Sequence, residues 1–349
     1  MRVILAAGTT ETGLIDGISA AGAAPDVMAH TPAADAEILV YGEPAMAPVT
    51  PVSPTGCPTP AAITRAVREV VGFDATVVDA GLAKPTAAPT VDLEAAPGTD
   101  IREPVAVPDA ESIFECAREY GASLPDDENE DEDEMLIGET IPGGTTTALG
   151  VSTALGEPIS VSSSLPANPL ERKRAVVERG LEASDIEPGD CAGNPLQAIR
   201  AVGDPVQAAV AGVAAGALEC GTRVTLAGGT QLVAVAAVLR HADVTGPLRL
   251  ATTSFVAADD GVDLQGAGNR LDLDITVTDP RFERSDHVSM ARYRAGEAKE
   301  GVAMGGALSL VPEGRMGEVR ERIETVCARL GVDGDRERTD LETEATRGP

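Results

Sequence analysis

Tryptophan is absent from this 349-residue chain, and aromatic residues together make up only 2% of it. A core built without large rings must come from Ala, Val, Leu and Ile, which favours β-branched parallel strands under Ala-rich helices. Lysine is nearly absent as well: Lys84, Lys173 and Lys299 are the only three among 27 basic residues, and the net charge is −29. No basic stripe exists to neutralise phosphates along a strand, which argues against a nucleic-acid partner. Cysteines are few, far apart and odd in number (Cys57, Cys116, Cys191, Cys220, Cys327), with no CxxC pair. That pattern fits reduced thiols in a cytoplasmic protein better than disulfides or a zinc site. His30, His241 and His287 lack ligand spacing, so no metal site is expected. No apolar run reaches the length of a membrane span, and the opening "MRVILAAGTT" is too short for a signal peptide, so no membrane partner is expected.

What is present is small, apolar and acidic. At 43% apolar residues the chain is too hydrophobic for a disordered class. Low isoelectric point, scarce lysine and small apolar residues match what a salt-loving cytoplasm requires, where surface carboxylates hold water and concentrated salt screens their repulsion. A protein most stable in dilute buffer would contradict that expectation.

Alternating strand and helix patterns predict a doubly wound, mostly parallel α/β sheet, Rossmann-like and three-layered, with a small helical part from the chain termini. "MRVILAAG", "AEILVYG" (36–42) and "ATVVDAG" (75–81) read as strands ending in glycine. Residues 59–72 have helical spacing, with Ile63, Val67 and Val70 on one face, and 108–124 read as a second helix with Asp109 as its cap and Gly121 as its stop. Residues 82–108 are Pro-rich and irregular, and eight of the nine residues 126–134 are acidic, a solvated surface loop. Further on, helices are predicted over 168–181, 204–221 and 315–331, and strands over 223–229, 248–257 and 270–279. The chain reads as one domain over 1–349. Its parts are an N-terminal portion (1–125), the acidic loop (126–134), a nucleotide-binding and catalytic core (136–311), a closing helix (312–333) and a frayed tail (334–349).

Three Gly-rich turns precede helices: Gly143-Gly144-Thr145-Thr146, Gly228-Gly229-Thr230, and Gly301 to Gly306. Backbone N–H groups at such turns, helped by the helix dipole, bind anions without basic side chains. Neither GxxxxGK[ST] nor GxGxxG occurs, so each turn taken alone reads as an ordinary strand-to-helix connection before it reads as an anion site. Three on one sheet edge point to a phosphorylated ligand. Ser254, in "TTSF", is either a turn residue or a ligand contact.

The spacing in "GETIPGGTTTALG" resembles the Glu-Met-Gly-Ile-Gly-Asn-Thr-Thr segment of nicotinate-nucleotide–dimethylbenzimidazole phosphoribosyltransferases. Glu139, Gly143, Thr145 and Thr146 hold matching positions, while Ile141, Pro142 and Gly144 depart from the family. "LERKRAVVERGL" is similar to the segment around that family's phosphate-contacting Lys, which falls on Lys173. Upstream, Ser162-Ser163-Ser164 replace its Gly-Thr-Gly, and Asp204 replaces the second Gly of a later pair. The family's Arg-Leu-Gly-Glu-Gly-Thr-Gly-Ala, whose Glu is the general base, meets "RAGEAKEGVAMGGAL" in two registers. One matches Arg294 and Glu297, the other Glu300 and Gly301; Glu300 is favoured because Gly follows it at the start of a small-residue helix, and Glu297 is the second choice.

With "PTGCPTPAAITRA" near the start, the chain looks closest to a divergent archaeal-type branch, the motifs spanning about 136–310. The resemblance implies transfer of the phosphoribosyl group of nicotinate mononucleotide to a benzimidazole-type base, for the nucleotide loop of a cobamide. It implies no cofactor, no metal and a cytoplasmic homodimer. The catalytic candidate is Glu300, and the substrate-binding candidates are Glu139, Gly143, Gly144, Thr145, Thr146, Lys173, Gly228, Gly229, Ser254, Arg294 and Gly301. Thr59, Thr64 and Arg65 could reach the aromatic base, or serve as a helix cap and a solvated Arg. Two alternatives stand beside this one: a non-catalytic nucleotide-binding regulator, and a Mg²⁺-dependent phosphoribosyltransferase using phosphoribosyl pyrophosphate.

Overall fold

The computed structural model describes residues 1–22, 25–124 and 134–332. The acidic run 126–133 and the tail beyond 332 lie outside them. Seven strands form one all-parallel sheet: β1 Arg2–Ala7, β2 Asp74–Asp79, β3 Thr90–Asp92, β4 Glu134–Thr140, β5 Arg223–Ala227, β6 Leu248–Thr253 and β7 Leu273–Thr278. Their order is β3-β2-β1-β4-β5-β6-β7, the doubly wound arrangement in which the winding across the sheet reverses between β1 and β4.

Strand alternation assigns side chains to two cores. On β1, Ile4 and Ala6 join Met135 and Ile137 of β4 under the helices Ala110–Ser123, Gly144–Leu155, Pro205–Glu219 and Thr230–His241. Val3, Leu5 and Leu136 face the other way, beneath Thr31–Tyr41, Ala61–Val71, the short helix Met304–Ser309 and the closing helix Met316–Arg329. The result is three layers. Small residues allow close approach: a Cβ on Gly212 or Gly216 would lie 2.3 and 2.0 Å from backbone oxygens of the Ala110 helix. Among the described residues no helix is long and apolar enough to cross a membrane.

Several predicted elements need correction. Residues 36–42 are not a strand but the end of the helix Thr31–Tyr41, which opens with Pro32 and closes at Gly42 with φ 94°. Nearly the whole helix is buried, Thr31 to Leu39 without a break, so no polar face marks its period and a short apolar run reads as either element. Conversely, the Met-Leu-Ile step after the acidic run is the core of β4, the strand beside β1. Gly138 disguises it, yet a Cβ there would sit 2.5 Å from that of Ala303. Gly121 does not stop its helix, which runs to Ser123; it makes room for Val213 O, 2.3 Å from a built Cβ. β6 ends at Thr253, where residues 254–257 turn helical, and the Pro-rich stretch contains the three-residue edge strand β3.

Candidate active site

The carboxyl end of β4 and the segments that follow β1, β5 and β6 meet a cleft of about 940 Å³, counted with the space open at its mouth. It lies at the β1/β4 switch point, where doubly wound sheets hold ligands. β4 delivers Glu139 and Thr140, then turns at Gly143 (φ 87°) into the helix Gly144–Leu155. Only glycine fits here, because a Cβ on Gly143 would stand 2.6 Å from Gly13 Cα. A Cβ on Gly144 would meet the Gln231 amide at 2.2 Å, so the N-termini of the Gly144 and Thr230 helices converge. Thr145 and Gln231 line the cleft. Gln231 is 6% exposed and its Nε2 has no hydrogen-bond partner, a donor aimed where an anion is favoured by both helix dipoles.

Behind this corner sit two of the three lysines. Lys173 is fully buried; its Nζ donates to Thr145 Oγ1 (2.9 Å) and to Ser162 O (2.7 Å). Lys299 Nζ donates to Ser163 O (3.0 Å) and Leu165 O (3.2 Å) and pairs with Asp259 at 3.5 Å. The Ser162–Ser164 loop, read above as a departure from the Gly-rich pattern, is thus pinned by both ammonium groups. Burial, reinforced by Lys299, pulls the Lys173 ammonium down to about 7.

A carboxyl group of residues shares the cleft. Glu300 Oε1 accepts from Gly305 N (2.8 Å), while Oε2 is buried with no hydrogen bond of normal geometry. Its Cβ packs 3.3 Å from where a Gly229 Cβ would lie. Burial raises Glu300 to about 8 despite the backbone donors. Glu139 also rises to about 8, through burial first and then the charges of Asp204, Glu300 and Asp35. Asp35 is raised to about 7 by burial, held back by hydroxyl donors Thr140 and Thr59, each 2.6 Å away.

The backbone around Glu300 is strained: Ala298, Val302 and Ala303 have φ of 46°, 52° and 59°. Such left-handed conformations cost L-residues roughly 1–2 kcal/mol each. Tertiary bonds hold them, Val302 N donating to Glu139 O (2.8 Å) and Thr64 Oγ1 to Val302 O (2.7 Å). The Glu300 loop is therefore stitched to the end of β4.

Of the residues singled out from sequence, Glu139, Gly143, Gly144, Thr145, Gly229, Glu300 and Gly301 line the cleft. Lys173 stands directly behind Thr145, and Thr146 turns into the protein with its hydroxyl buried and unpartnered. The structure does not bring the other four to the lining. Gly228 packs against the Leu232 side chain, Ser254 Oγ faces Asp279 at 3.5 Å, and Arg294 is exposed on the helix Val288–Arg294. Glu297 is buried but turned to Ser53, Thr55 and Arg292. Asp204 caps the Pro205 helix, accepting from Gln207 N at 2.9 Å. Thr59 lines the cleft, whereas Arg65 binds the carbonyls of Leu39 and Val40. Sequence reasoning missed Asp35, Gln231 and Lys299. Lys299 carried a signal, being one of three lysines and adjacent to Glu300; Asp35 was hidden by the strand reading of 36–42.

A phosphoribosyltransferase family profile matches residues 57–264. A UPF0284 protein of Halobacterium salinarum is 58% identical over 93% of this chain and 97% of its own length. The chain belongs to the UPF0284 family. UPF0284 proteins of Methanothermobacter thermautotrophicus (42% identity; 93% of this chain, 91% of that one) and Pyrococcus furiosus (40%; 87% and 90%) extend it across archaea. Among solved structures, CobT from Thermus thermophilus superposes on this UPF0284 protein with TM-score 0.59 at 19% identity, covering 93% of this chain and 83% of that one. A nicotinate-nucleotide–dimethylbenzimidazole phosphoribosyltransferase structure from the same organism gives 0.57 at 18%, covering 95% and 85%. The family is thus related in fold to those enzymes.

Proposed function

We propose that this UPF0284 protein transfers the phosphoribosyl group of nicotinate mononucleotide to a benzimidazole-type base, releasing nicotinate and giving an α-ribazole phosphate-type nucleotide. The observation that carries the reading is Glu300: a buried carboxyl whose Oε2 accepts no hydrogen bond of normal geometry, raised to about 8, in one cleft with a lysine-backed anion corner. The donor's phosphate would lie at the N-termini of the Gly144 and Thr230 helices, near Thr145 and Gln231. Lys173 would compensate its charge from behind.

In the reaction, one ring nitrogen of the base attacks the ribose anomeric carbon while the bond from that carbon to the pyridinium nitrogen breaks. The bonding pair leaves with nicotinate, whose ring becomes neutral, so departure needs no acid. The other ring nitrogen gives its proton to Glu300. A positioned base of this kind contributes about 10²–10⁴ in rate, most effectively with a pKa near the working pH. A pyridinium cation entering the cleft would draw Glu139 toward its ionised form, since an opposite charge favours the charged carboxyl.

The test is to incubate the protein with nicotinate mononucleotide and benzimidazole without added metal, and to follow nicotinate release. Release that requires the base supports the reading. Nucleotide binding without release, across several bases, would replace it with a regulator; strict dependence on Mg²⁺ and phosphoribosyl pyrophosphate would replace it with the other transferase chemistry.

A further inference from the structure

Residues 51–59 form a tight hairpin. Val52 bridges Pro58 in antiparallel fashion, Ser53 N donates to Cys57 O (2.8 Å), Thr59 N donates to Pro51 O (3.1 Å), and Gly56 (φ 88°) makes the turn. The hairpin presents Pro51, Val52, Cys57 and Pro58 to the cleft as an apolar wall. Thr59 Oγ1 donates to Asp35 at its base (2.6 Å), and the side-chain bonds that hold the rest of it come from one segment, residues 292–297. Glu297 Oε2 accepts from Ser53 Oγ (2.7 Å) and from Thr55 Oγ1, while its Oε1 lies 3.7 Å from Arg292 Nη1. Tyr293 Oη donates to Pro58 O (2.8 Å). Glu297 is 5% exposed and three residues before Glu300.

We infer that Glu297 is a positioning residue that sets acceptor affinity by clamping the 51–59 hairpin as the wall on which the aromatic base packs. The inference rests on the transferase reading above for the identity of the occupant. A flat, neutral heteroaromatic ring suits prolines and a valine better than a charged ligand does, because its faces need only apolar contact. The covalent link from Glu297 to Glu300 then places wall and proton acceptor in fixed relation, which is what orientation of the base requires.

Benzimidazole itself is the probe, titrated at equilibrium into the full chain without donor, so that no turnover is needed. Glu297→Ala should weaken benzimidazole binding about tenfold, the equivalent of one charge-assisted hydrogen bond. Acceptor KM should rise in parallel, with kcat at saturation within about threefold. Glu297→Gln should restore most of the affinity, since its amide oxygen still accepts both hydroxyls. Thr55→Val, at the exposed tip of the hairpin, should weaken binding about threefold without threatening the fold. Wild-type protein that does not bind benzimidazole overturns the inference, as does unchanged affinity in Glu297→Ala. Loss of kcat in Glu297→Gln as large as in Glu297→Ala also overturns it, because that is the signature of a base. If benzimidazole binds as expected but no nicotinate is ever released, the transferase reading fails and the hairpin clamp stands.

Discussion

Two regions of the cleft respond to burial in opposite directions and arrive at the same place. In the lysine-backed corner, burial pulls Lys173 from 10.5 down to about 7. In the carboxyl region it pushes Asp35 from 3.8 to about 7, and Glu139 and Glu300 from 4.5 to about 8. Both regions therefore lose charge near neutral pH, in a chain whose net charge is −29. The surface behaves differently. There arginine pairs with carboxylates in the open, as in Arg315–Glu318 (2.7 Å) and Arg118–Glu219 (2.9 Å), contacts worth little each. These exposed pairs are held by charge at the surface, whereas Lys173, Asp35, Glu139 and Glu300 are shifted by burial at or behind the cleft.

The largest expected effect comes from breaking the carboxyl region alone. Glu300→Gln should lower kcat by about 10²–10⁴, the usual contribution of a general base, and leave the dissociation constant of nicotinate mononucleotide within about twofold. In the wild type, kcat/KM should climb with pH toward an inflection near 8, the value of Glu300. A fully active variant would remove Glu300 from its role.

Breaking the other region should do the reverse. Lys173→Met preserves the buried stem but removes the donors to Thr145 and Ser162, and should weaken donor binding by roughly 10–100-fold. Benzimidazole affinity measured by titration should not move. Lys84→Gln serves as the control on the exposed third lysine, where a change within about 0.5 kcal/mol is expected. Equal losses at Lys84 and Lys173 would mean that long-range charge, rather than the built corner, governs the donor.

A third effect is on stability. Native Asp35, Asp204, Glu139 and Glu300 retain protons up to about 7, 6, 8 and 8, whereas unfolded carboxyls release them near 3.8–4.5. Across that window the native state binds more protons, so the contribution of these four groups is fully present below about pH 4 and declines as pH rises to 8. Lys173 works against this above 7, where its native form has released a proton that the unfolded chain holds to 10.5. The unliganded melting temperature should therefore fall most between pH 5 and 7. Glu300→Gln should flatten that fall; an identical slope in the variant would show that the cleft carboxyls do not drive it.

The opening strand, β2, β5 and most helices of the second half were legible because their periods are local and their ends carry Gly or Pro. Thr31–Tyr41 was not, since burial on all sides erases the periodicity on which such reading depends. β4 was missed for a related reason: Gly138 breaks a strand pattern, and the need for it arises only from Ala303, far along the chain. In the site, Glu300 could be singled out from its Gly-followed position, but Glu297, only three residues away, could not be told from it by spacing. Their difference lies in what they face, Gly305 N for one and a hairpin more than 240 residues upstream for the other.

Sequence by itself determined the layered α/β class, the glycine turn at Gly143–Thr146 that opens a helix at the cleft, and the segment that bears the candidate base. Those depend on short-range patterns of side-chain size, capping and glycine. Tertiary structure alone decided that Asp35 meets Thr140 across 105 residues, that Lys173 and Lys299 grip one loop, and that Gln231 is left with an unpaired donor. Each follows from the strand order β3-β2-β1-β4-β5-β6-β7, which brings distant loops to one sheet edge and buries their polar groups together, where the low dielectric sets both their partners and their charge.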